Sequence, residues 1–391
     1  MKIIFFAHPL FLNHQSMPRF AKMLAEGMKE RNHEVEIWSP REYFYRFPFT
    51  GNMKKWMGYI DQYIIFPMQV RRKKTGLCSS TLFVFTDHAL GPWVNLVKDR
   101  PHVVHCHDFL AQHSAENNIA ENRTSWTGKQ YQALIRKGFS KGKNFISVSE
   151  RTRKDLAKFC KGVPLRSEMV YNGLNRVFSP GDPLEARAII SREANIPLRN
   201  GYILHVGGNQ WYKNRTGVVE IYSAWRNSQR ERLPLVLIGQ SPSEDLIKAY
   251  EASPFTDDIV FINSASDEVV SNAYAGAKAF LFPSLAEGFG WPIVEAMASG
   301  CPVITTNEAP MTEVGGEAAF YIPKKPLIGS KVELWACDAA EVVNKVMNFN
   351  QEERQFWIEK GLKNAYRFDQ AKSLDNIEMI YSDILQKFWS L

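Results

Sequence analysis

Short apolar runs alternate along this chain with longer stretches of helical spacing, the pattern of parallel sheets covered by helices. In the first half, runs at 2–7, 34–38, 81–85, 102–106 and 144–148 predict strands. Between the first two, Phe20, Met23, Leu24 and Met28 recur at three- and four-residue spacing and predict a helix over 18–31. Ser149 before Glu150-Arg151-Thr152 reads as a cap and helix start. Turn residues crowd together at Asn172-Gly173 and from Phe178 to Pro183, which marks a domain boundary. A second alternating series follows, with strands expected at 202–206, 233–238, 258–262, 279–282 and 302–305. The expectation is an α/β chain of two doubly wound domains, 1–178 and 179–370, with a closing helix over 371–391 that packs back on the first. Ligands of such domains sit beyond the carboxyl ends of the strands, so the residues after each strand are the candidates for binding and catalysis.

Composition sharpens this picture in three ways. At 391 residues, 45% hydrophobic and 23% charged, the chain is globular and too long for one ordinary core. No apolar run is long enough to cross a bilayer as a helix, and Met1-Lys2-Ile3-Ile4-Phe5-Phe6 is too short for a signal peptide. Five scattered cysteines without a Cys-x-x-Cys pair argue against a disulfide framework or zinc cage, so a cytoplasmic setting is expected, with the sequons at Asn122 and Asn214 unmodified. Charge is uneven: residues 1–178 hold 28 Lys and Arg against 14 Asp and Glu, whereas 179–391 hold 20 against 27. The basic half is expected to meet something anionic, with nucleic acid, an acidic glycan, a lipid phosphate and a membrane surface all open at this point.

The segment richest in chemistry runs from Phe282 to Gly300. A strand ends at Pro283, a glycine loop follows, and Pro292 suits the first turn of a helix. Strand, loop and helix start together form an anion site. Glu287 and Glu295 each suit a grip on vicinal hydroxyls. On local pattern alone a second reading is equally good: Ser284 and Glu287 as a capping box, with Glu295 an exposed helix residue.

A wider likeness separates the two readings. Two glutamates spaced E-x7-E around Gly288-Phe289-Gly290 resemble the signature of the fourth family of retaining, nucleotide-dependent glycosyltransferases (glycosyl transferases group 1). The likeness extends from Ser264-Ala265-Ser266-Asp267-Glu268 through Tyr274-Ala275-Gly276-Ala277 to Ala296–Val303, and resumes at Thr312-Glu313-Val314-Gly315-Gly316. It implies a GT-B fold, two Rossmann-like domains facing a central cleft, with the acceptor held by the first and the nucleotide-sugar by the second. It further implies that Glu287 contacts sugar hydroxyls, that the backbone of Gly288, Phe289 and Gly290 approaches sugar and diphosphate, and that Glu295 holds the ribose hydroxyls.

Three further segments follow strands. In His205-Val206-Gly207-Gly208-Asn209-Gln210-Trp211-Tyr212-Lys213-Asn214 a strand enters a glycine turn; Lys213 reads either as a phosphate partner or as a solvated helix-start lysine. The resemblance implies the former, with Gly207, Gly208 and Asn209 near the donor. The family's usual arginine before the lysine is replaced by Tyr212, and another often basic position by Gly208, so Arg215 is the candidate substitute. In His102–Leu110, His105 and His107 share one face of a strand. A metal pair lacks a third ligand, and a satisfied core histidine is the ordinary fate of His105. The resemblance implies that His107 faces the donor sugar and the charge developing in transfer, with Asp108 orienting it or the acceptor. Asp87 and His88 end another strand, and Ser16 and Met17 close a first loop that lacks the family's glycines; these four are the acceptor-side candidates together with Asp108.

Residues 41–75 are aromatic and basic, from Tyr43 and Phe44 through Trp56 to Arg71-Arg72-Lys73-Lys74. They read either as a peripheral membrane or lipid-phosphate surface or as a core helix followed by a solvated turn. No nucleic-acid module accompanies the charge. The expected function is retaining, metal-independent glycosyl transfer from a nucleotide-sugar, a substrate rather than a cofactor, to a glycan, lipid-linked or small-molecule hydroxyl. A same-fold epimerase or phosphorylase, and a catalytically silent binding subunit, are the rival expectations.

Overall fold

In the computed structural model, all residues are described except 13–15, 175–177, 230–231 and 389–391, together with the side chain of Ser16. Every apolar run named above is a strand, with ends shifted by no more than two residues, and the first predicted helix spans Ser16–Glu30. Among the described residues the strands form two six-stranded sheets, parallel throughout. The chain divides into one unit of Met1–Gly173 with Gln370–Leu391 and a second of Leu174–Asp369, so the division falls slightly before the turn cluster at 178.

The first unit holds β1 (Lys2–Phe6), β2 (Glu34–Trp38), β3 (Leu82–Phe85), β4 (His102–Cys106), β5 (Asn144–Ser147) and β6 (Arg166–Met169), in the order β2-β1-β3-β4-β5-β6. The central strands are buried on both faces, so their runs are continuously apolar rather than alternating. Ile3 and Phe5 pack on one side with Leu24, Met28 and, from the closing helix Gln370–Phe388, Leu374, Ile377 and Tyr381. Ile4 and Phe6 point the other way, into Phe83, Phe85, Trp93 and Phe139. Each such side chain contributes about 1.5–3 kcal/mol by leaving water. β6 was not foreseen because Arg-Ser-Glu-Met has no apolar run; it is a partly exposed edge strand.

The second unit holds β7 (Ile203–Val206), β8 (Leu235–Gly239), β9 (Ile259–Asn263), β10 (Ala279–Phe282), β11 (Val303–Thr306) and β12 (Ala319–Ile322), ordered β12-β11-β10-β7-β8-β9. In each sheet the chain reverses its direction of travel once. That crevice lies between β1 and β3 in the first unit and between β7 and β10 in the second, and doubly wound sheets bind ligands at such a point.

Candidate functional site

The loops that leave β7 and β10 are sewn together. Asn214, in left-handed conformation at φ 52°, caps the helix Arg215–Asn227 by accepting from the Gly217 amide, and its Nδ2 donates to the Pro283 carbonyl at 2.9 Å. The Leu285 amide donates to the Tyr212 carbonyl at 2.7 Å. Across this seam Lys213 Nζ meets Glu287 Oε1 at 2.8 Å, and the same oxygen accepts from Ser284 Oγ at 2.7 Å. Both partners of the ion pair are largely buried, at 14% and 8% side-chain exposure, so each depends on the other for compensation. Ser284 therefore binds the side chain of Glu287 within a loop and forms no capping box.

The backbone here is set by glycine. A Cβ on Gly239 would stand 2.0 Å from the Gly207 carbonyl, so the ends of β7 and β8 meet this closely only without one. Gly290 caps the helix Trp291–Ala298 at φ 107°, and Pro292 stands in its first turn. Phe289 is buried, with its ring against Phe368 at 5.5 Å between centroids. Glu295 is 9% exposed, and its Oε2 accepts from the Tyr274 hydroxyl at 3.1 Å. Of the residues expected near a donor, Lys213 and Glu287 are thus in direct contact, with Gly288, Phe289 and Gly290 in the same loop as Glu287.

Two further groups stand at this crevice: Arg215, the candidate substitute for the missing arginine, and His205, which has no role in the sequence reading. Arg215 is 5% exposed, and its Nη1 donates to Asn209 Oδ1 at 2.6 Å and to the Gln240 carbonyl at 2.8 Å. Its Nε and Nη2 have no partner among the described residues, and burial pulls the guanidinium down to about 10. A buried cation beside carbonyls but no carboxylate is an open demand for an anion. Gly208 sits against Gln210 and Gln240, whose amide oxygens lie 2.6 and 3.1 Å from where its Cβ would be, so a larger side chain there would displace them. The second group is His205, fully buried, whose Nδ1 donates to the Leu281 carbonyl at 2.9 Å. Its Nε2 lacks a partner among the described residues, and burial pushes the ring down to about 3, so it is neutral.

The first unit's crevice is built differently. Asp87, buried at the end of β3, accepts from His8 Nε2 at 2.9 Å and lies 3.0 Å from His88 Nδ1. Burial works to raise its carboxyl, but the imidazole of His88 and the hydrogen bond from His8 outweigh that and hold it well below the usual range. His8 and Asp87 edge a cavity of about 280 Å³ with Met17, Tyr63, Trp93 and Tyr131. The hydroxyls of Tyr63 and Tyr131 share a hydrogen bond of 2.7 Å. His88 does not line this cavity; its ring packs on Phe109 and Phe139. Ser16 opens the helix Ser16–Glu30, and its side chain lies outside the described set.

His107 Nε2 donates to the Thr86 carbonyl at 2.9 Å, which fixes the proton on that nitrogen and leaves the lone pair on Nδ1. Burial lowers its ring below the ordinary value. His105 is engaged elsewhere, at 2.7 Å from the Tyr381 hydroxyl, and burial takes it to about 3. Asp108 accepts from the Leu110 amide at 3.0 Å, and burial raises its carboxyl. Among the described residues no three His, Cys, Asp or Glu side chains cluster as metal ligands, and no helix is long and apolar enough to cross a membrane.

Known proteins resemble this chain in sequence and fold. A family model described as glycosyl transferases group 1 matches residues 186–363, and one for glycosyltransferase family 4 matches 17–178. O-antigen chain mannosyltransferase B of Escherichia coli is 28% identical over 188 residues, 48% of this chain and 49% of that protein. The matching stretch thus spans about half the length of that curated relative. Among solved structures, sucrose-phosphate synthase of Thermosynechococcus elongatus aligns with a TM-score of 0.75 at 14% identity, covering 99% of this chain and 100% of that one. HepE of Anabaena, solved with UDP and glucose, aligns with a TM-score of 0.71 at 14% identity, covering 98% and 100%.

Proposed function

Because the chain belongs to the group 1 glycosyl transferases, with a family 4 first half and a GT-B fold, we propose that it moves a sugar from a nucleoside diphosphate donor to a glycan or lipid-linked hydroxyl. The second unit takes the donor and the first the acceptor. The observation that carries this reading is the Lys213–Glu287 pair bridging the two loops of the β7/β10 crevice. When a donor enters, its diphosphate draws Lys213, and Glu287 is released to accept from sugar hydroxyls. The free nitrogens of Arg215 supply the second cation that the glycine at 208 cannot, and the helix start after Gly290 adds backbone donors. These groups stabilise the departing phosphate in place of a metal. Glu295 takes the ribose hydroxyls.

The resemblance to retaining enzymes of this family supports transfer with retention. The acceptor hydroxyl attacks from the face that the nucleotide leaves, and His107, neutral and with its proton held at Thr86, serves the transfer step from the first unit. Asp87, Met17 and Asp108 belong to the acceptor side. The E. coli relative's name points to polysaccharide assembly of the O-antigen kind as the setting. The test is a panel of nucleoside diphosphates and their sugars, read by melting temperature and by turnover in chelator. One nucleotide should stabilise the protein, and its sugar should be transferred without divalent metal to a product of unchanged anomeric configuration. Strict dependence on a metal, or an inverted product, would overturn the mechanism.

A further inference from the structure

The aromatic, basic segment that donor chemistry does not use forms a surface of its own. Gly51–Ile60, Asp61–Ile65 and Phe66–Lys74 run on as one helix, with helical backbone at both junctions. One stripe of it faces the core through Gly58, Asp61, Gln62, Phe66 and Val70. Another faces water and is also apolar: Met53, Trp56, Ile64 and Met68 are 51%, 62%, 54% and 60% exposed. The middle turn, Asp61–Ile65, is a π turn, which takes up an extra residue and keeps positions 64 and 68 in line with 53 and 56. Exposed apolar residues scattered singly need no explanation, but an aligned row of four does.

The preceding loop enlarges the row. Buried Asp61 accepts from the amides of Tyr43, Phe44 and Tyr45, Lys54 Nζ donates to the carbonyls of Tyr45 and Phe47, and Gln69 Nε2 donates to the Tyr43 hydroxyl. The loop is thereby pinned along the helix beside the exposed stripe, with the rings of Phe44, Phe47 and Phe49 exposed. Around this apolar area, residues 41–75 hold eight Lys and Arg against two carboxylates, Glu42 and the buried Asp61. A second copy of the chain would bring like charge against like. An anionic lipid surface offers both partners at once, acyl chains for Trp56 and the phenylalanines and phosphates for the rim.

We propose that the face formed by residues 43–72 seats the first unit on the surface of a bilayer rich in anionic lipid. The inference is independent of donor binding, which is read in the second unit. The experiment is sedimentation of the full chain with vesicles of phosphatidylglycerol and phosphatidylethanolamine, and with phosphatidylcholine alone. Binding is expected only to the anionic vesicles, weakening with salt. The exposed double variant Trp56→Ser, Met68→Ser should lose about tenfold in partition, and Lys55→Glu with Arg72→Glu a similar amount, with melting temperature and nucleotide binding unchanged. Trp56→Phe should still bind, but should lose the quenching of tryptophan emission by brominated lipid. Equal binding to both vesicle types, variants that bind as the parent does, or a stripe variant that turns a dimer into a monomer without vesicles would each overturn the proposal.

Discussion

The two units share an architecture and differ in how each fills the crevice where its sheet reverses. Between β7 and β10 the loops are rich in glycine, Gly207, Gly208, Gly288 and Gly290, and their side-chain chemistry is ionic, Lys213 against Glu287 with Arg215 uncompensated. Between β1 and β3 the first loop, residues 8–18, has no glycine, and the crevice is walled by Tyr63, Trp93 and Tyr131 around a carboxylate that accepts from His8 and lies beside His88. One fold thus carries an ionic, glycine-lined crevice in one unit and an aromatic-walled cavity in the other. Strand order sets where a ligand goes; loop composition sets what it is.

The sharpest way to break this comparison is to remove one half of the ion pair. Lys213→Ala should lower turnover by about 10²–10³-fold, the usual loss when one preorganised stabiliser of a leaving group is deleted. It also leaves Glu287 largely buried without a cation, so a fall in melting temperature is expected. His107→Ala should lower turnover with nucleotide affinity intact. Should Lys213→Ala spare turnover while His107→Ala abolishes nucleotide binding, the roles assigned to the two units would be exchanged.

A smaller loss separates the contributors to donor binding. Glu295→Ala and Arg215→Met should each weaken nucleotide binding by about tenfold, the worth of one charge-assisted hydrogen bond. Arg215→Met removes a cation that has no carboxylate partner among the described residues, so its melting temperature should stay within a few degrees of the parent. Isothermal titration and a thermal scan of the same samples decide both points. A collapse of folding in Arg215→Met with unchanged affinity in the survivors would make Arg215 structural.

Much of this is legible in the sequence, and the reasons are local. Strands such as Ile-Ile-Phe-Phe in β1 announce themselves because parallel strands buried on both faces must be apolar throughout. β6 was invisible because an edge strand can be written in polar residues. Glu287 and Lys213 stood out through their loops, but their 2.8 Å contact depends on β7 and β10 being neighbours, which strand spacing alone does not reveal. His8 and Asp87, 79 residues apart, meet for the same reason in the first unit. The orphaned nitrogens of Arg215 follow from burial, a property of packing that no motif encodes.

Acid should divide the units by stability. In the first, burial lowers His102, His105 and His107, with His105 at about 3; in the second, among the described residues, His205 is the histidine so lowered, also to about 3. The unfolded chain binds protons at these rings near 6.5 whereas the folded one refuses them, so stability is full above that value and falls as pH drops toward 3. Asp87 adds its own loss only below the ordinary carboxylate range, because its folded value is depressed. Hydrogen exchange followed from pH 7 to 5 should therefore rise in β3, β4 and β5 before it rises in β7 and β10. Simultaneous opening would mean that the histidines do not set the difference.

The least disruptive change tests the walled cavity itself. Tyr63 and Tyr131 give each other their hydroxyls at 2.7 Å, and both line the cavity edged by His8 and Asp87. Tyr131→Phe keeps the ring and its packing, and it removes one hydroxyl whose loss is worth about 1 kcal/mol, roughly a fivefold change in binding. If a neutral ring of the acceptor lies against these side chains, the acceptor KM should rise by about that factor, with kcat and nucleotide affinity unchanged. The prediction has force because the alternatives point elsewhere. A purely structural hydroxyl would move the melting temperature and leave KM alone. A donor-side role would move nucleotide affinity instead.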